Sequence, residues 1–415
     1  MTRKRAKDKT ICLDFVDEGY YKQCMNDDQE FRRHVGQCYQ QWPELFPAEF
    51  EGSYRLHGFI TSKKQGLKMR RIRLSQNGAA YQIRPSFMMP YMIGPTEEIG
   101  KGLYFKRWGV PFEALAYAFG HDAMFWYRAY LSLGRYSLVG TTVKQAEQLP
   151  QDVVADEKHT RRQGEKVYLA TTVAQECILG ADIAPEADTL ALSKSYQVFK
   201  TETQHLDPTY SPQTVNTDGW SATQNAWQLL FPRITIILCF LHAFLAIRNS
   251  CRGRPEVLKQ ISHKVWHAYH APKKAHFSQR IRRLREWSRL YLAGPAQSKV
   301  LALCHKAPCF KIAYHFPSAY RTSNALDRLM NYQDRLLYDM QYLHGSLPTA
   351  QLYVRAMALV WNFHPYGRQT QAKYVQQITS PFQALNGFHY HSHWLHNLLI
   401  SASLQRQPPL TQIPL

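Results

Sequence analysis

Residues 150 to 240 switch repeatedly between the two-residue period of a strand and the 3.6-residue period of a helix, and that order leaves few folds open. Residues 152–156 read as a short strand, and Val167, Leu169, Thr171 and Val173 give a second by alternation. Ala174-Gln175-Glu176 turns the chain, and Cys177 to Ile183 returns it. Leu192, Tyr196, Phe199 and Thr203 then fall on one helical stripe. Thr214 to Thr217 makes a short buried strand. Residues 221–231 form a helix with Ala226, Trp227 and Leu230 inward, and Ile234 to Leu238 is a fully apolar strand. Three antiparallel strands, helix, strand, helix, strand predict an α/β unit, a mixed sheet with flanking helices.

Two of those strands end in acid. Val153-Val154-Ala155-Asp156-Glu157 and Val215-Asn216-Thr217-Asp218-Gly219 each place an Asp at the end of a β-prone run. Alternation points Asp156 and Glu157 to opposite faces of their strand. Two carboxylates that meet in space can hold Mg²⁺, the ion that phosphodiester chemistry needs. Ordinary strand-end carboxylates are the other reading of the same residues.

Charge indicates what such acids would work on. The 415-residue chain carries 51 Lys and Arg against 31 Asp and Glu, a net charge of +20. That surplus favours nucleic acid or an anionic membrane surface as the partner. Hydrophobic residues at 45% and aromatics at 13% exclude a disordered chain. The eight cysteines contain no CxxC and are too scattered for a disulfide scaffold, which fits reduced thiols in a cytoplasmic protein. Met1-Thr2-Arg3-Lys4-Arg5 is basic but has no apolar region behind it, so no signal peptide is expected. The longest apolar run, Ile234 to Ile247, contains His242 and is too short to span a bilayer.

At this length two or three domains are expected. Residues 1–54 read as a helical, aromatic region, and residues 55–148 as a DNA-binding region. In the latter, Ile72 and Leu74 alternate with Arg71 and Arg73, Asn77-Gly78 follows, and Tyr81 and Ile83 alternate with Gln82 and Arg84. This predicts a hairpin with a type I′ turn. Its polar face, with Arg71, Arg73 and Arg84, is either a phosphate contact or a solvated strand face. Phe112 to Asp122 predicts a short helix ending at Gly120, with Asp122 capping a second helix that runs to Leu133. In this helix-turn-helix Arg128 and Arg135 are the candidates for DNA contact, and Phe125-Trp126-Tyr127 is core. Residues 150–400 hold the α/β unit, interrupted at about 250–315 by a basic helical insertion. Its Arg282 and Arg285 are further candidates for DNA phosphates. Residues 322–345 resume a strong helix, and 401–415 are a Pro-rich tail.

Asp156-Glu157-Lys158-His159-Thr160, with Gly164 and Tyr168-Leu169-Ala170, resembles the first-strand motif of bacterial insertion-sequence DDE transposases. These belong to the RNase H-like superfamily of the retroviral integrases. Thr217-Asp218-Gly219-Trp220 with Ala226-Trp227 resembles their second acidic motif. Cys239-Phe240-Leu241-His242 is similar to the C-x-x-H element that follows the next strand in Mutator-like and related transposases. Arg321-Thr322-Ser323-Asn324-Ala325-Leu326-Asp327 resembles their Asn-x-x-Glu helix, with Asp where the family usually has Glu.

The resemblance covers roughly residues 150–345. It implies an RNase H-like sheet and a catalytic, metal-binding trio of Asp156, Asp218 and Asp327, supported by Cys239, His242 and Asn324. It further implies Mg²⁺ or Mn²⁺ as cofactor, double-stranded DNA of transposon ends and target as substrate, a homo-oligomer on DNA, and a bacterial, nucleoid-associated location. From Asp156 to Asp218 is 62 positions and from Asp218 to Asp327 is 109; the insertion would fill the second gap. Glu256, Glu286, Asp334 and Asp339 are rivals for the third acid. Cys304, His305 and Cys309 are the residues that could complete a zinc site with Cys239 and His242. A metal-dependent endonuclease without strand transfer, and a catalytically inactive transposase-derived DNA-binding protein, are the alternative functions.

Overall fold

A computed structural model of the chain describes residues 8–374 and 377–407, apart from the side chains of Ala325 and Asp327. The basic hairpin lies inside a four-stranded sheet of order β1-β4-β3-β2. β1 (Thr10–Leu13) runs parallel to β4 (Ala80–Pro85). β4 is antiparallel to β3 (Lys68–Leu74), and β3 to β2 (Tyr54–Thr61). Helices α1 (Glu18–Asn26) and α2 (Asp28–Gln41) precede β2, and the carboxylates of Asp17 and Asp27 accept their first free N–H groups.

The β3–β4 turn differs from the expected type I′. The Leu74 N–H bonds to the Ala79 carbonyl, so the loop has four residues, Ser75 to Gly78. Gly78 has φ +69°, while Asn77 stays outside the left-handed region and its carboxamide accepts the Ala79 N–H. A type I′ turn needs positive φ at both residues of a two-residue loop. That geometry occurs instead at Gln163-Gly164, with φ of 52° and 87°, and at Gln175-Glu176, with 48° and 67°.

Helices α3 (Thr96–Lys106), α4 (Phe112–Phe119), α5 (Ala123–Leu133) and α6 (Leu138–Thr142) lead to the second sheet. Gly120, at φ +77°, ends α4, and Asp122 caps α5 through the Phe125 N–H. The second sheet has order β7-β6-β5-β8-β9. β5 (Asp152–Arg162), β6 (Glu165–Ala174) and β7 (Cys177–Ala184) form an antiparallel meander. α7 (Thr189–Leu206) follows it. β8 (Thr214–Thr217) lies parallel to β5, and α8 (Ser221–Leu230) carries the chain to β9 (Thr235–Leu238), parallel to β8. The result is a mixed α/β unit with its elements in the order read from the sequence. β5 runs on to Arg162, because β6 pairs with it along its whole outer length.

An all-helical segment follows: α9 (Phe240–Ser250), α10 (Pro255–Tyr269), α11 (Lys274–Tyr291), α12 (Gly294–His305) and α13 (Ala307–Lys311). Ile261, Phe277, Ile281, Val300 and Leu303 give it a core of its own. The chain then returns through α14 (Asn324–Asp339), α15 (Leu347–Phe363), α16 (Arg368–Gln371), α17 (Pro381–Asn386) and α18 (Trp394–Ser401).

α7 and α8 cover one face of the second sheet, packing Tyr196, Phe199 and Trp227 with Val153, Ala155 and Val215. α14 and α15 cover the other, over Val154, Leu169 and Val173. That second core is continuous with Ile83 of β4 and with Trp126 and Tyr130 of α5, which packs along α15. The helices of residues 96–142 therefore share their packing with the sheet. Glu202 of α7 and Arg355 of α15 form a buried ion pair at 2.6 Å, and the Ser137 hydroxyl and Val139 N–H also donate to Glu202. Among the described residues no helix is long and apolar enough to cross a membrane.

Candidate active site

The β5–β8 ladder pairs Asp152 with Thr214, Val153 with Val215 and Val154 with Asn216. The pairing offset is 62 residues (214 minus 152), the same number that separates Asp156 from Asp218. Carried two residues beyond its last pair, that register would bring Asp156 level with Asp218. Asp218 lies one residue past β8, where its Oδ1 accepts the Trp220 N–H at 2.7 Å. Gly219 makes that turn at φ +99°, and a Cβ there would come within 2.6 Å of Leu238 Cδ1. Only glycine fits both demands.

Strand parity separates the two acids of β5. Glu157 faces α7 and α8, where it is buried and accepts the Tyr196 hydroxyl at 2.7 Å and the Thr223 hydroxyl at 2.8 Å. Burial pushes its carboxyl up to about 7, although both hydroxyls favour the charged form. Asp156 faces the other way, its side chain 19% exposed, with His242 Nε2 at 4.0 Å from its Oδ2.

The C-x-x-H element converges on the same place. The Cys239 N–H bonds to the Thr217 carbonyl at 2.8 Å, next to Asp218. The Cys239 sulfur accepts the Ser323 N–H at 3.3 Å and lies 3.4 Å from the Ser323 hydroxyl. The Phe240 N–H donates to the Arg321 carbonyl at 3.0 Å. These bonds dock the start of α9 against the start of α14. The Cys239 thiol, followed by the Asp156 and Asp218 carboxylates, pushes the half-buried His242 up to about 9, against the effect of burial. Burial raises the Cys239 thiol, but His242 and Ser323 outweigh it and bring the thiol below its ordinary value. Its neighbours thus favour the protonated form of the His242 imidazole, which stands beside Asp156.

α14 packs on β5 and β6. Lys158, two residues past Asp156 on the same strand face, pairs with Asp334 of α14 at 2.7 Å. Asp327 lies on α14 two turns before Asp334; its side chain is outside the described residues. Asn324 is exposed at the first position of the helix. The rival acids are engaged elsewhere or open to solvent. Asp334 holds Lys158, Asp339 forms a buried pair with Lys106, Glu286 sits beside Arg282, and Glu256 is exposed on α10.

Compared with known proteins, the chain matches no family model and no curated protein.

The basic candidates divide by exposure. Arg73, Arg128, Arg135 and Arg282 are exposed, and Arg71 is half-buried. Arg285 is also half-buried and spends a donor on the Cys304 carbonyl at 3.2 Å. Arg84, expected on the polar face of the hairpin, is buried, because β4 is an inner strand between β1 and β3. Of α5 only Met124 and Arg128 are exposed, since Trp126, Ala129, Tyr130 and Leu133 face the core. The proposed zinc partners do not assemble. Cys304 is buried against the Ile281 carbonyl, Cys309 is exposed, and neither groups with Cys239 and His242 among the described residues.

A histidine cluster escaped the sequence reading, although His389-x-His391-x-His393-x-x-His396 is a visible signal. Asp14, His391 and His396 bring ligand-capable atoms within 4.8 Å of one another. Their hydrogen bonds argue for a polar network rather than a ligand set. The Ser86 hydroxyl donates to Asp14 at 2.8 Å and meets His396 Nδ1 at 3.0 Å. The His393 N–H donates to His391 Nδ1 at 2.8 Å, which leaves the proton of the neutral ring on Nε2, the atom facing Asp14 at 3.9 Å. The network ties the segment after β1 to α18.

Proposed function

We propose that this chain is a DDE-type DNA transposase whose α/β unit is an RNase H-like catalytic domain. The observation that supports the reading is the β5–β8 register, whose 62-residue offset equals the spacing of Asp156 and Asp218, with His242 beside Asp156 and the Cys239–Ser323 bonds joining the end of β9 to the start of α14. The mixed sheet covered by helices on both faces, and the helical insertion ahead of the helix that bears Asp327, support it. So does the net charge of +20.

The donor set suits a hard divalent cation: two half-buried aspartates whose spacing matches the β5–β8 register. Asp156 and Asp218, with Asp327 as third acid, would hold Mg²⁺ or Mn²⁺. When bound, the metal supplies activation of an attacking oxygen and stabilisation of the leaving 3′-oxygen. His242, held cationic by its neighbours, orients the Asp156 carboxylate and adds positive charge where a transferring phosphate gathers negative charge. The Lys158–Asp334 pair fixes α14 against the strand that carries Asp156. Water attacks first and nicks the transposon end; the freed 3′-OH then attacks target DNA. Both steps are phosphoryl transfers, so one site serves for both. Exposed arginines such as Arg73, Arg128, Arg135 and Arg282 supply phosphate contacts, and the protein works as a homo-oligomer on its DNA.

The test is an assay of purified protein on end DNA with Mg²⁺ or EDTA. Nicking and joining that need Mg²⁺ and vanish in Asp156→Asn support the reading. Cleavage without joining identifies an endonuclease. Salt-sensitive binding without cleavage under either ion identifies an inactive DNA-binding derivative, and no binding at all overturns the assignment.

A further inference from the structure

The β2–β3 ladder leaves one face of the first sheet open. β2 is the edge strand, and the register sets Arg55 directly opposite Arg73 and Leu56 opposite Ile72. His57 and Gly58 then stand together against Arg71 in a bulge, where Gly58 has φ +74°. Leu56, Ile72 and Leu74 turn into the core, so Arg55, Arg71 and Arg73 turn outward together. His57 joins them, because the Arg73 Nη2 lies 3.0 Å from its Nε2. Arg55 and Arg73 are exposed, and His57 and Arg71 are half-buried.

Three features of this face ask for an anion. Like charges directly opposite each other in a ladder repel, as Arg55 and Arg73 do. Arg70, on the other face, pairs with Asp28, whereas none of the four outward side chains has an ion-pair partner among the described residues, and the Arg71 Nε is buried without a hydrogen-bond partner. The third feature is the Arg73–His57 bond. A guanidinium only donates, so the His57 Nε2 accepts and the ring is neutral, with its proton on Nδ1. Burial, then the charges of Arg73 and Arg71, hold His57 below its ordinary value. Arg55 on its own strand, and Arg71 and Arg73 on β3, are the charged groups that face it; β3 is the strand paired with β2 among the described residues.

A phosphate set among these side chains reverses that arrangement. It accepts from the guanidiniums, and its charge offsets the repulsion that keeps His57 neutral. The ring then binds a proton from solvent and donates to the same oxygens. Successive outward positions on a strand are about 7 Å apart, so the face is long enough for more than one phosphate of a nucleic-acid strand. We propose that Arg55, His57, Arg71 and Arg73 form a phosphate-backbone site for duplex DNA that takes up one proton at His57 on binding. The proposal rests on the DNA-processing reading above. It adds a site whose affinity rises as pH falls through the histidine range, and it brings in Arg55 and His57, which the β2–β3 pairing sets beside Arg71 and Arg73.

The experiment titrates full-length protein, in EDTA, into a labelled duplex at pH 6 and pH 8. Uptake of one proton between those limits makes wild-type binding about tenfold tighter at pH 6. His57→Gln, which cannot take the proton, should lose most of that gain. His57→Arg, which carries its charge at both pH values, should bind at pH 8 about as tightly as wild type does at pH 6. Arg55→Gln should lower the salt slope by about one counterion. Calorimetry at pH 7 in buffers of different ionisation heat counts the proton directly, and uptake that disappears in His57→Gln supports the site. Thermal melts check that each variant is folded; Arg55 is exposed on an edge strand, so its replacement leaves the core intact. A His57→Gln variant with the full wild-type gain overturns the proton uptake, and an unchanged salt slope in Arg55→Gln overturns the site. Tighter binding to phosphatidylserine vesicles than to duplex at equal salt, lost in Arg55→Gln, assigns the face to a lipid surface and overturns DNA as its ligand. A wild type that shows no salt-sensitive binding to DNA overturns the DNA-processing reading itself.

Discussion

Glu157→Gln separates the two neighbouring acids of β5 by their physics. In the folded chain burial raises Glu157 from an ordinary 4.5 to about 7, and Tyr196 and Thr223 both donate to its Oε1. The folded state therefore holds this proton more tightly than the unfolded chain. Stability from the group is fully present below about pH 4.5 and is lost as pH rises to about 7. That rise corresponds to about 3 kcal/mol across the window. Glutamine keeps an oxygen for both hydroxyls but does not titrate. Urea unfolding of wild type and variant at pH 4.5 and pH 8 should show the variant gaining about 3 kcal/mol on wild type between the two conditions. Other titrating groups cancel in the difference. The same variant should keep metal-dependent cleavage, since Glu157 faces away from Asp218. Parallel pH profiles would refute the burial argument. Loss of cleavage in Glu157→Gln with activity kept in Asp156→Asn would refute the assignment of faces.

Three further outcomes are expected. Asp156→Asn, Asp218→Asn and Asp327→Ala should each abolish nicking and joining together while DNA binding by anisotropy persists, and Asp327→Glu should keep part of the activity; cleavage unaffected by Asp327→Ala would show that another acid completes the site. Gly219→Ala meets both the positive φ and Leu238 Cδ1, and should cost about 1–3 kcal/mol in thermal unfolding and a larger share of activity, because it moves Asp218; wild-type cleavage rates would show that the turn does not position the acid. Glu202→Gln leaves the Arg355 guanidinium buried beside a neutral amide and should destabilise by about 3–5 kcal/mol; a loss under about 1 kcal/mol by urea titration would mean that Arg355 finds another partner.

Periodicity made the second sheet legible. β6 alternates over Val167, Leu169, Thr171 and Val173, and β9 is apolar after its first residue, so these strands could be placed from the sequence, and Val167, Leu169 and Val173 do share one core. Asp218 was legible because it stands where β8 stops, whereas Asp156 ends the apolar run Val153–Ala155 but lies inside β5, which β6 extends to Arg162. The first sheet was harder. β1 and β4 pair across some seventy residues of intervening chain, and nothing local in Thr10–Leu13 announces a parallel partner. Without that partner β4 reads as an outer strand, and Arg84 looks solvated when it is buried. The turn at Asn77-Gly78 misled because the dipeptide permits a type I′ turn but does not require one; the ladder register settles the loop length.

The gap of 109 residues between Asp218 and Asp327 is closed by docking rather than by chain proximity. Loop closure grows only logarithmically with length, so an insertion costs little if it is folded with its ends together. The helices α9 to α13 meet that condition through their own core. Their attachment is concentrated on residues 320–323, just ahead of α14. The Tyr320 carbonyl accepts the Asn216 amide at 2.9 Å, and its hydroxyl accepts the Gln175 N–H at 2.8 Å, tying the segment to β8 and to the β6–β7 turn. The Arg321 guanidinium lies between the Tyr269 and Tyr314 rings, at 4.6 and 4.7 Å, and donates to the Tyr269 carbonyl at 3.0 Å. Ser323 meets Cys239 at the end of β9. Three residues, Tyr320, Arg321 and Ser323, thus bond to two strand ends, a hairpin turn and the insertion before the helix begins. A helix launched from such a junction has its direction set at its first turn, and α14 then holds the sheet again through the Lys158–Asp334 pair. The insertion acts as a bracket: it occupies the gap between Asp218 and Asp327 and fixes where the helix bearing Asp327 starts.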